Sequence, residues 1–162
     1  MTDAQLDSKV EAALEKHGLV YSVIACDPKL ADTAAFCEKY GYTLDESANA
    51  ILVASRKVEP TRYALCIVLA TTRLDVNKAV CKRLGVKRAS FADAETTKEI
   101  TGMMIGGVTA PGVDSIPIFI DSVVVEQSSV VMGGGNRHSK LVLNPRELLK
   151  LPNAQVVDGL AA

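Results

Sequence analysis

The sequence predicts an α+β fold built on a mixed sheet, as one domain over residues 1–162. Two observations carry this. Apolar stripes at helical spacing are interleaved with short runs rich in Val, Ile and Leu. Several successive runs are joined by turns too short for a crossover helix, so those neighbours are antiparallel while others are not. With 48% hydrophobic and 23% charged residues, the chain has the composition of a globular protein. Its length suits one core and is too short for two ordinary domains.

In order, residues 4–17 read as a helix, with Leu6, Val10, Ala13 and Leu14 on one stripe, Asp3 as cap and Gly18 as stop. Val20 to Ile24 is a first strand. A second helix follows Asp32 as N-cap, carries Phe36 and Tyr40 and stops at Gly41. Ala50–Ser55 and Arg62–Ala70 form a hairpin around Lys57-Val58-Glu59-Pro60-Thr61. Its second arm is apolar on both faces, which places it centrally. Leu74–Leu84 is a helix ended by Gly85, and Arg88–Phe91 a short strand. Asp93 caps a helix running to Thr101, with Gly102 as its end. Ile116–Asp121, Val130–Met132 and Lys140–Leu143 are further strands. Asn144, Pro145 and Glu147 have the spacing of a capping box opening a last helix.

Thr101 to Gly112 holds four glycines and a proline in an apolar setting, without a charge between Glu99 and Asp114. A linker would be polar, so this is a buried or half-buried turn where backbone comes close to something. Gly133-Gly134-Gly135-Asn136-Arg137-His138 repeats the idea between two strands. The two turns are either the walls of one pocket or two ordinary tight turns.

Composition removes several function classes. Net charge is −1, so any polyanion must be met by a local patch. Trp is absent and aromatics are scarce, which disfavours base stacking as the main contact. The longest apolar run, Tyr63–Ala70, is too short to cross a bilayer. Met1-Thr2-Asp3-Ala4 lacks the start of a signal peptide, so the expected location is cytoplasmic, with no membrane partner. Cys26, Cys37, Cys66 and Cys81 have no zinc spacing and read as core residues. The chain lacks G-x-S-x-G, H-E-x-x-H and a Walker loop. His17 suits a helix C-terminus, whereas His138 borders the second glycine turn. Lys78, Lys82, Arg83, Lys87 and Arg88 are the densest basic cluster, either a solvated helix face or a phosphate-binding patch.

Read in order, these pieces resemble the YbaK/prolyl-tRNA-synthetase-associated domain family of aminoacyl-tRNA deacylases. The resemblance runs from the strand at Ala50 to Leu151. It rests on Ala48-Asn49-Ala50-Ile51-Leu52-Val53-Ala54, Arg73-Leu74-Asp75-Val76-Asn77-Lys78 and Lys82-Arg83-Leu84-Gly85-Val86-Lys87-Arg88. It continues through Thr101-Gly102, Gly106-Gly107-Val108-Thr109, Gly133-Gly134-Gly135-Asn136-Arg137 and Leu143-Asn144-Pro145. The family implies a barrel-like mixed sheet surrounded by helices, and trans-editing hydrolysis of a mischarged tRNA ester, of the Cys- or Ala-tRNA(Pro) type. It implies no metal and no cofactor. Its partners would be aminoacyl-tRNA and an aminoacyl-tRNA synthetase.

Carried over by position, Asn49, Gly106 and Gly107 fall at the catalytic positions, with the glycine-turn amides holding the ester carbonyl. Thr109, Gly133, Gly134, Asn136 and His138 fall at the substrate-binding positions. Lys82, Arg83, Lys87 and Arg88 would meet tRNA phosphates. A side chain at Gly107 is expected to block the ester while leaving the fold intact. Two departures stand out: Asn49 replaces the family's lysine, and Ala110-Pro111 replaces a proline placed directly after Ser or Thr. The first supports an alternative, a diverged aminoacyl-tRNA or nucleotide-binding module with little hydrolytic activity. A third reading is a hydrolase of another small acyl ester on the same fold.

Overall fold

A computed structural model describes residues 5–162. The proposed start of the first helix at Ala4 and its cap at Asp3 lie outside the described residues. Helix α1 spans Ser8–His17, capped by the Asp7 carboxylate on the Lys9 amide (2.9 Å), and buries Val10 and Leu14. Strand β1 (Ser22–Ala25), helix α2 (Thr33–Tyr40), strands β2 (Ala48–Ser55) and β3 (Tyr63–Leu69), helix α3 (Cys81–Leu84) and strand β4 (Ala89–Phe91) follow. Next come α4 (Ala94–Thr101), β5 (Ile118–Asp121), α5 (Ser122–Val125), β6 (Val130–Gly133), β7 (Ser139–Leu143) and β8 (Ala154–Val157). The glycine stops expected at 18, 41, 85 and 102 all close helices with positive φ.

Five strands form one sheet in the order β4-β2-β3-β5-β8, and three form a second in the order β1-β7-β6. The large sheet is mixed, as expected. β4, β2 and β3 pair antiparallel, while β3-β5 and β5-β8 pair parallel. β3 is central and buried on both faces from Ala64 onward, which is what its unbroken apolar run requires. Among the described residues the two sheets are joined by a single parallel bridge, Ser47 with Val131, and do not close into a continuous barrel.

One face of the large sheet presents Leu52, Leu65, Ile67, Ile118 and Ile120 to α1 and to Met132 and Leu141 of the small sheet. The other face, with Val53, Cys66, Val68 and Phe119, lies under Val80 and Leu84. A third cluster, Cys26, Ala31, Phe36, Cys37 and Val131, fills the space between α2 and the small sheet. All four cysteines are buried free thiols. Burial pushes the Cys66 thiol up to about 12, so it is an inert core residue.

Local details depart from the sequence reading for identifiable reasons. Leu74 pairs with Ala161 in an antiparallel bridge, which draws the start of the expected 74–84 helix into extended backbone. A wide helical turn at Val76–Val80 then precedes the short α3. Asp32 does sit at the N-cap of α2, but its side chain caps no amide there and turns to Arg137 instead. Glu147 likewise reaches away from its own turn to the Val20 amide (2.8 Å) and to Lys150 (2.7 Å). The segment Pro145–Lys150 is accordingly a 3-10 helix without a reciprocal box.

The double-sided burial of β3 has a direct test. Ile67→Ala should cost about 2–5 kcal/mol. A urea midpoint equal to that of the native chain would remove Ile67 from the core.

Candidate functional site

A cavity of about 340 Å³ opens beside the bridge that joins the two sheets. That is at the small end of ligand pockets. One wall is β2, from Ala48 through Leu52. Asp32, Thr33 and Phe36 of α2, Ala92 and Thr97 beside β4, Ile105, Gly106 and Val108 of the first glycine turn, and Met132, Gly133 and Lys140 of the small sheet complete it.

Asn49 stands opposite Val68 in β2, and its Oδ1 accepts the Thr33 hydroxyl at 2.7 Å. An asparagine so held keeps its NH₂ group as a donor. Gly106 and Gly133 also line the cavity, so these three expected residues come together. The others lie behind or outside its walls. The Gly107 amide donates to Met104 O at 2.8 Å, so that N–H is already used within its turn and is not offered to a ligand. Thr109 is fully buried with its hydroxyl unpartnered, outside the lining. Gly134 accepts the Asp7 amide through its carbonyl (2.9 Å). The Asn136 side chain is a joint, donating to Gln5 O (3.1 Å) and accepting from the Ser139 hydroxyl (2.7 Å). His138 is exposed outside the cavity, its amide donating to Asn136 Oδ1 at 3.2 Å.

The two glycine turns are not opposite walls; they are pressed together. A Cβ at Gly107 would meet the Asn136 carbonyl oxygen, with the Asn136 carbonyl carbon at 2.7 Å. A Cβ at Gly133 would lie 2.6 Å from the Gly107 carbonyl carbon. Gly135 N–H closes the contact on Gly107 O at 2.7 Å. The expectation that a side chain at Gly107 leaves the fold intact is therefore corrected: it would strike backbone, which cannot swing aside.

Two cations, Arg137 of the second turn and Lys140 of β7, fasten the cavity rim. Arg137 donates to Pro28 O (2.9 Å), Ile105 O (2.6 Å) and Asp32 (3.3 Å). Lys140, 6% exposed, donates through Nζ to Ala31 O (2.6 Å) and Gly106 O (3.0 Å), and lies 5.3 Å from the Phe36 ring centroid. Each charged hydrogen bond of this kind contributes about 1.5–3 kcal/mol. Phe36 in turn stacks on Tyr40 and Tyr42, at 4.8 and 5.5 Å. Burial is the main cause that lowers the Lys140 pKa from its ordinary value.

Lys140 was not among the expected site residues. The signal was present: in Ser139-Lys140-Leu141-Val142-Leu143 a lysine occupies a position that the strand buries.

Lys82, Arg83, Lys87 and Arg88 are exposed and unpaired by carboxylates among the described residues. Arg56 and Arg62 join them, through Arg56 N–H on Arg88 O (2.9 Å) and Arg62 on Leu84 O (2.9 Å). β4 connects Arg88 to the cavity residue Ala92, a span of about 13 Å at strand rise. Among the described residues no three His, Cys, Asp or Glu side chains group as metal ligands. No helix there is long and apolar enough to cross a membrane.

Residues 27–151 match the sequence pattern of the aminoacyl-tRNA editing domain, and the chain belongs to that family. Solved structures agree on the fold. The hypothetical protein APE2540 superposes with a TM-score of 0.84 at 22% identity, covering 96% of this chain and 100% of its own. A proposed trans-editing enzyme for prolyl tRNA synthetase matches with a TM-score of 0.78 at 24% identity, over 95% and 98%. The fold also recurs inside a longer polypeptide. A proposed signal transduction protein from Marinobacter aquaeolei VT8 aligns over 98% of this chain and 31% of its own, with a TM-score of 0.66 at 17% identity.

The contact between the turns is testable. Gly107→Ala should destabilise the protein by about 1–3 kcal/mol, the range for overpacking. An unchanged thermal midpoint would show that the turns have room to part.

Proposed function

We propose that this protein is a trans-acting aminoacyl-tRNA deacylase that hydrolyses the ester of a mischarged tRNA, of the Cys- or Ala-tRNA(Pro) type. One observation carries the reading: every residue lining the cavity falls between 32 and 140, inside the matched editing segment, and Asn49, Gly106 and Gly133 converge there. A cavity of this size takes a single small acyl group. Its rim, with Ile105 half exposed, leaves the entrance open to a nucleotide.

In this reading water attacks the ester carbonyl, without a metal. Asn49 orients the acyl group or the attacking water through its NH₂ group, while Thr33 fixes the amide. The second glycine turn, with Gly134, Asn136 and His138 behind it, holds Gly133 in place. Thr109 supports the opposite wall from within the core. Lys82, Arg83, Lys87 and Arg88, extended by Arg56 and Arg62, contact tRNA phosphates. The aminoacyl-tRNA would come from an aminoacyl-tRNA synthetase.

The decisive experiment is a panel of mischarged tRNAs incubated with the protein and without it. Deacylation of one or more Pro-type substrates is expected; none above the uncatalysed rate would favour a binding module. On the best substrate, Asn49→Ala should lower kcat/KM by about tenfold, the loss of one well-placed hydrogen bond of about 1.4 kcal/mol. An unchanged value would take Asn49 out of the site.

The patch has its own measurement. Replacing Lys82 and Arg88 by Gln should flatten the slope of log K against log salt by roughly 0.7–0.9 per lost phosphate contact. An identical slope would leave these side chains as a solvated face.

A further inference from the structure

The cavity holds a charge that the described residues do not neutralise. Lys140 is buried, and its two hydrogen-bond partners, Ala31 O and Gly106 O, are carbonyl dipoles, not carboxylates. Asp32, the acidic residue of the lining, is 70% exposed and bonded to Arg137. Cys26 and Cys37, the other ionisable groups packed nearby, are thiols whose pKa burial pushes up, so they remain neutral. The cavity therefore presents one ammonium among both polar side chains and the apolar groups of Phe36, Val108 and Met132. Negative charge brought into the cavity would offset the cost of burying that ammonium.

The geometry of an ammonium also limits what it can do. It has three protons, and the two carbonyls account for two. With its stem fixed in β7 and its head fastened to both rim segments, the third proton is preorganised for an acceptor in the cavity.

We propose that Lys140 is the anion-receiving group of this cavity, taking the carboxyl oxygen of the acyl ligand. The ester part of the proposal rests on the deacylase reading. Water adds to the ester carbonyl carbon, and the carbonyl π pair moves to its oxygen, which becomes an oxyanion beside Nζ. The pair then returns and the bond to the terminal ribose oxygen breaks. Of the water's two protons, one ends on that ribose oxygen and the other in solvent, and a carboxylate is left facing the same ammonium. Lys140 so contacts both the developing charge and the product.

The binding part needs no tRNA. At fixed neutral pH, the Lys140 Hε/Cε NMR signals are followed while acetate and acetamide, then alanine and alaninamide, are titrated into the native protein. Lys140→Met identifies the signal by its loss. Saturable shifts with the two carboxylates and none with the amides are expected. Equal shifts with both, or none with either, overturn the proposal. The kinetic part uses the best substrate of the tRNA panel, on which Lys140→Met should lower kcat/KM by about 10²–10³-fold. A folded Lys140→Met variant with native kcat/KM overturns it too. Should that variant not fold, the titration of the native chain decides alone. A panel in which no tRNA is hydrolysed defeats the deacylase reading, while the carboxylate titration still settles Lys140.

Discussion

The structure depends on a contact between two stretches of bare backbone. Gly107 and Gly133 to Gly135 approach so closely that a side-chain carbon at Gly107 or Gly133 would overlap the opposite main chain. The Gly135 amide ties them with a 2.7 Å hydrogen bond. One turn follows α4 and leads toward β5 of the large sheet; the other joins β6 to β7 of the small one. Among the described residues, the sheets share backbone pairing only at the Ser47–Val131 bridge. The glycine contact therefore sets the distance between the sheets at the place where the cavity opens.

The polar groups around that contact follow from it. Once the turns touch, Arg137 and Lys140 are carried to the carbonyls of the 28–31 segment and of Ile105 and Gly106. Four backbone oxygens without strand partners thus acquire donors, among them that of the buried Ala31, whose carbonyl requires one. The same arrangement leaves the interior cation over Phe36, which the Tyr40 and Tyr42 rings hold flat.

Much of this was legible in the residues. The unbroken apolar run of β3 announced a central strand, the helix-closing glycines fell where expected, and both glycine turns stood out against their apolar surroundings. What escaped was long-range. β8 is the tetrapeptide Ala-Gln-Val-Val with two exposed residues, and only its parallel pairing with Ile118–Asp121 makes it a strand. The Ser122–Val125 turn of helix hides in three valines, a strand-favouring run. Neither Asp32 nor Glu147 uses its side chain as local spacing suggests, because each finds a distant partner. The role of Lys140 escaped as well, since its partners lie 109 and 34 residues away.

Those separations have a meaning during biosynthesis. The pocket is made of segments from the first quarter, the middle and the last quarter of the chain, clasped by a residue at position 140. At translation rates of about 5–20 residues per second, roughly 5–20 seconds separate the appearance of Ala31 from that of Lys140. Through that interval Phe36 and Ala31 have no small sheet to cover them, since β6 and β7 have yet to be made. The nascent chain thus carries an apolar surface and no finished pocket until its last quarter emerges.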